Sequence, residues 1–177
     1  MDVSDIMCRI HSIYPSGSDI YTYLSKRYDP AINQPLAFTG SLFIISAWTA
    51  FAYENYITTL LSFILSLTSV YYHLDHNPVS YVCDQIALFS VVIRSFFDGY
   101  SGGLHGLIIF FAINTYNWMV YFSPIATSLA SNSDRSVANP WHMSIHLFAI
   151  LAIIVQQYCI ANYSSPILDN DSSLSVL

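Results

Sequence analysis

Apolar residues fall into five long runs along this chain, separated by polar turns. Leu36–Tyr53 and Tyr56–Tyr72 carry no charge, Tyr81–Phe97 holds Asp84 and Arg94, Gly103–Phe122 holds His105, and Trp141–Ala161 holds His142 and His146. A helix that crosses the hydrocarbon core of a bilayer needs roughly 17–25 mostly apolar residues, and each run is of about that length. The runs are continuous rather than alternating, which argues against the strands of a membrane barrel. Glu54–Asn55, Asp75–Pro78 and Asp98–Gly102 read as turns. Ser123–Pro140, rich in Ser and Asn, reads as the longest linker, with a helix-kinking proline at Pro124. The expected fold is all-α, a polytopic transmembrane bundle of about five spanning helices over residues 35–162. A polar segment, 1–34, precedes it, and a Ser-rich polar tail, 163–177, of disordered-type composition follows.

Composition supports that picture. Of 177 residues 54% are hydrophobic and 9% charged, with mean hydropathy +0.48. Soluble domains carry about 25% charged residues, so this chain lacks the charge to clothe a water-facing surface. The net charge of −6 rests on few groups, and five Lys and Arg cannot form the basic patch that nucleic acid requires. Cys8, Cys83 and Cys159 are distant from one another, with no CxxC pair, and read as small buried apolar residues. Residues 1–34 lack the long apolar core of a cleavable signal, so the first spanning segment is expected to direct its own insertion.

Lys and Arg in the short loops set orientation. With the N-terminus cytoplasmic, Arg9, Lys26, Arg27 and Arg135 fall inside and only Arg94 outside. The sequons Asn162–Ser164 and Asn170–Ser172 then fall in an outside tail.

Ionisable residues inside membrane segments are rare and point to function. Here they are ordered. The second run ends at His73, with Ser69 one turn earlier on the same face. The third opens with Asp84, and the fifth opens with His142 and His146, again four apart. Following the chain back and forth through five crossings puts all five residues at the same end of the bundle. One histidine near a helix end reads as an interfacial or hydrogen-bonded residue. Three imidazoles at one depth read as a tetrahedral zinc site with one open position. In that reading His73, His142 and His146 hold Zn²⁺. Asp84 orients a water and acts as general base, and Ser69 hydrogen-bonds the water or the developing oxyanion.

Ser69-x3-His73, Asp84 eleven residues on, and His142-x3-His146 on the last helix resemble the CREST superfamily. That group holds alkaline ceramidases, progestin/adiponectin receptors, phospholipases that remodel GPI lipids, and myomaker-like proteins. The Ser-x-x-Tyr-His form and Cys83 before Asp84 look more like the myomaker and GPI-phospholipase branch. The acidic, Trp-containing calcium motif of ceramidases has no counterpart in residues 1–34, where no Trp occurs. The family has seven spanning helices and this chain about five, as if one pair between Asp84 and His142 were missing. Removing a pair keeps the parity that brings the ligands together. The resemblance implies an abbreviated member: a zinc-dependent intramembrane hydrolase of an amide or ester bond, with a ceramide-like or GPI/phospholipid substrate. The alternative is a non-enzymatic, myomaker-like or receptor-like membrane protein with structural zinc.

Other polar positions read as framework. Asp75 and His76 fall in a solvated turn, His105 at an interface, Asp98 in a Gly-rich loop, and Arg94 snorkels to the outer surface. The Tyr and Trp residues fit interfacial belts.

Overall fold

The computed structural model describes residues 30–75, 77–121 and 135–163. Among these the regular elements are all helices: α1 Pro30–Ser41, α2 Phe43–Ala52, α3 Tyr56–Asp75, α4 Pro78–Ser101, α5 Gly103–Tyr121 and α6 Arg135–Tyr163. Four stretches of the described residues are long and apolar enough to cross a membrane: Asn33–Ala52, Tyr56–Asp75, Pro78–Ser101 and Val137–Tyr163. The first joins α1 to α2 through a tight turn, in which Leu42 N–H donates to the Thr39 carbonyl at 3.2 Å, three residues back. The fifth expected span, α5, has the length, but His105, Asn114 and Asn117 dilute its apolar character. It lies antiparallel along α6. His105 near its start stacks on Tyr163 at the end of α6 with ring centroids 4.4 Å apart, and Tyr116 near its end meets Ser144, early in α6, at 2.7 Å.

Local chemistry explains the turns. Glu54 adopts φ +60°, closing α2, so that Glu54 N–H reaches the Phe51 carbonyl and Asn55 N–H the Ala50 carbonyl, each at 2.9 Å. The Asn55 side chain then accepts from Thr58 N–H and starts α3. Asn77 caps α4 by accepting from Ser80 N–H at 2.8 Å, with Pro78 in the first turn where its missing N–H has no helical partner to lose. Gly103, at φ +65°, lets the chain reverse between α4 and α5. Here the two helices touch backbone to backbone: a Cβ on Gly106 would collide with the Gly99 carbonyl.

Two expectations need correction. The linker Ser123–Pro140 is shorter than expected, because α6 already begins at Arg135 and carries Pro140 inside it. Pro140, the sixth residue of α6, lacks the N–H that would reach back one turn, yet the helix runs on through it, so it marks no boundary here. The kink expected at Pro124 lies outside the described residues, as does His76. The Gly-rich loop at Asp98 is in fact the last turn of α4, and Asp98 is 1% exposed.

Burial is inverted relative to a water-soluble bundle. Trp48 is 73% exposed, and Leu60, Phe89, Leu104 and Phe111 also face outward. Ser62, Ser69, His73, Gln156 and Gln157 are buried alongside an apolar cluster of Phe43, Leu65, Ala87, Val91, Ile150 and Ile153. An apolar surface this extensive suits lipid, where the backbone must also be satisfied within each helix.

The interior polar groups at one end form a closed network that positions the helices. Asp98 Oδ1 pairs with Arg94 Nη2 at 2.8 Å and accepts from Asn55 Nδ2 at 3.2 Å. Its Oδ2 accepts from Thr58 Oγ1 at 2.5 Å and Gln157 Nε2 at 3.2 Å. Arg94 also donates to Thr58 Oγ1 and Asn55 Oδ1, each at 3.1 Å. Ser95 and Gln156 bond beside it. Arg94 therefore turns into the bundle rather than snorkelling out, because Asp98 sits one turn away on the same face. The network ties α3, α4 and α6 together, the helices that carry the candidate site at their other ends.

Candidate metal centre

His73 stands two residues from the end of α3, and His142 and His146 project from the first half of α6. The four-residue spacing puts the α6 pair on one face, which is turned toward the His73 ring. Ring centroids are 5.2 Å apart for His73–His142, 5.5 Å for His73–His146 and 5.0 Å for His142–His146. Each residue offers one nitrogen, and these atoms all lie within 4.8 Å of one another. His73 and His146 are buried and His142 partly so. Such a group could hold a metal ion, and three neutral imidazoles, with no fourth His, Cys or carboxylate joining them among the described residues, match the donor set of zinc centres that keep one position open.

A cavity of about 420 Å³ opens beside the histidines. Its lining is mostly apolar, Leu88, Val92, Phe110, Ile145 and Ala149 among them, with Ser69, Asp84, His142 and His146 as polar members, as a pocket for an amphipathic molecule must be. Asp84, in the second turn of α4, is buried, and its Oδ1 has no hydrogen-bond partner among the described residues. A buried carboxylate oxygen without a donor is costly, so one aimed at a cavity is available to a guest. Ser69 is held one turn before His73, where α1 crosses α3 closely: a Cβ on Gly40 would stand 2.6 Å from Ser69 Oγ.

His105 is exposed and stacked on Tyr163 at the other end of the bundle, away from the three clustered histidines. Two contributions were not foreseen from the sequence. Thr39 on α1 places its hydroxyl 3.0 Å from His146 Nδ1. Asn114 and Asn117 on α5 line the cavity, and Asn117 Oδ1 is buried without a partner among the described residues. Their three-residue spacing in an apolar helix was a legible signal. Thr39, a lone hydroxyl in a greasy run, offered none. No family model, curated protein or solved structure matches the chain.

Proposed function

We propose that this protein is a zinc-dependent intramembrane hydrolase that cleaves an amide or ester bond of a lipid, an abbreviated relative of the CREST proteins. The observation that carries the reading is the three-histidine cluster beside a cavity that also presents Asp84 and Ser69. A purely structural zinc site is closed by protein ligands, and this one adjoins space for a guest. In this reading α5 counts as the fourth of five crossings, a parity under which His73, Asp84, His142 and His146 belong to one end.

His73, His142 and His146 would hold Zn²⁺, which when bound supplies Lewis acidity and makes water a better nucleophile at neutral pH. Asp84 is the general base: its carboxylate takes a proton from water as the oxygen bonds to the scissile carbonyl carbon. The Ser69 hydroxyl donates to the carbonyl oxygen as charge develops on it. Asp84 then returns the proton to the leaving amine or alkoxide as the C–N or C–O bond breaks, releasing a fatty acid. The lipid enters sideways between helices, with its chain against Leu88, Phe110 and Ala149.

Metal content of the protein purified in detergent, with hydrolysis of labelled ceramide-like and phospholipid substrates, tests this. Wild type should carry about one zinc, and Asp84→Asn should keep the zinc while losing about 10²–10⁴-fold in turnover. Wild-type protein without zinc, or an Asp84→Asn variant that hydrolyses normally, overturns it.

A further inference from the structure

We propose that Thr39 is a positioning residue that fixes the tautomer of His146 and thereby tightens metal binding; this rests on the reading of the three histidines as a metal site. Thr39 is buried, and its Oγ1 lies between two groups: the Leu36 carbonyl at 3.0 Å and His146 Nδ1 at 3.0 Å. A carbonyl only accepts, and a hydroxyl has one proton to give. If that proton goes to Leu36, Oγ1 is left to accept, and His146 must carry its proton on Nδ1. Nε2 then presents its lone pair to His73 and His142. If the hydroxyl proton instead went to Nδ1, Nε2 would hold the proton and could not ligate. The first arrangement is therefore the metal-competent one, and the helical bond to Leu36 favours it, as is usual for a threonine hydroxyl back-bonding within its helix.

The rest of the packing holds Thr39 in place. Its neighbour Gly40 lets α1 approach Ser69 on α3, so Thr39 reaches across to α6. Phe43, one turn further on, meets the His146 ring at 5.8 Å and blocks a swing away from the site. Partners of this kind orient metal-binding imidazoles, and losing one weakens metal binding by about 10–100-fold.

Zinc affinity, measured on detergent-purified full-length protein by competition with a chromophoric chelator, tests the proposal. Thr39→Val keeps the shape and removes the acceptor, so its Kd for zinc should rise by about 10–100-fold. Thr39→Ser should restore tight binding, which a purely space-filling role would not require. In wild type loaded with zinc and labelled with ¹⁵N-histidine, His146 Nδ1 should carry the proton. This last measurement serves even where the valine variant folds poorly. Equal zinc affinity of wild type and Thr39→Val, or a metal-bound Nδ1 on His146, overturns the proposal while leaving the metal site intact. Wild type that binds no zinc overturns the metal reading and this one with it.

Discussion

Asp98→Asn is a near-isosteric change that should nonetheless unlock the bundle. All four groups facing Asp98 are donors: Arg94 and Asn55 toward Oδ1, Thr58 and Gln157 toward Oδ2. A carboxylate accepts from all of them. A carboxamide must set its own NH₂ against one pair, so it loses the ion pair and opposes at least the Gln157 donor. Hydrogen bonds to charged groups contribute about 1.5–3 kcal/mol each, and two lost would sum to about 3–6 kcal/mol. Two effects reduce this. The Arg94 side chain is 28% exposed and keeps Thr58 and Asn55 as acceptors. Polar contacts between membrane helices average about 0.6 kcal/mol, because the separated helices find other partners. The expected loss is about 3 kcal/mol, read from reversible unfolding in mixed micelles titrated with SDS. Replacing both charges, Arg94→Met with Asp98→Leu, should recover little of it, because Asn55, Thr58 and Gln157 lose the acceptor they share. A loss below about 1 kcal/mol for Asp98→Asn would refute the idea that this network clamps α3, α4 and α6.

Three further outcomes are expected. Gly106→Ala should destabilise by about 1–3 kcal/mol in the same assay, because its new Cβ meets the Gly99 carbonyl, backbone that cannot move aside; Gly40→Ala meets the rotatable Ser69 hydroxyl instead and should lower hydrolysis more than stability. Asn117→Leu should raise stability by up to about 1–3 kcal/mol, since it removes a buried oxygen that has no partner among the described residues, and a fall in unfolding midpoint would show that the carboxamide is engaged.

The sequence by itself determined the apolar helical stretches, the turns at Glu54–Asn55 and Asn77–Pro78, and which end of the bundle receives His73, His142 and His146. These properties are local or additive. A run of some twenty apolar residues must satisfy its backbone internally, and Asn55, Asn77 and Gly103 close or start helices through contacts a few residues away. The shared end then follows from helix length and parity alone. Only the tertiary structure decided which way each helix faces. In a membrane bundle the outer surface is as apolar as the core, so the pattern barely distinguishes the two sides of α5 or α6. Rotation is set by close approaches between helices, such as Gly40 on α1 against Ser69 on α3 and Gly106 against Gly99 across the turn between α4 and α5. Thr39 met His146, 107 residues away, in this manner, and that pairing leaves no trace in the order of apolar and polar positions. The i,i+4 spacing of Arg94 and Asp98 and the three-residue spacing of Asn114 and Asn117 were legible, but not the side of the helix they would face.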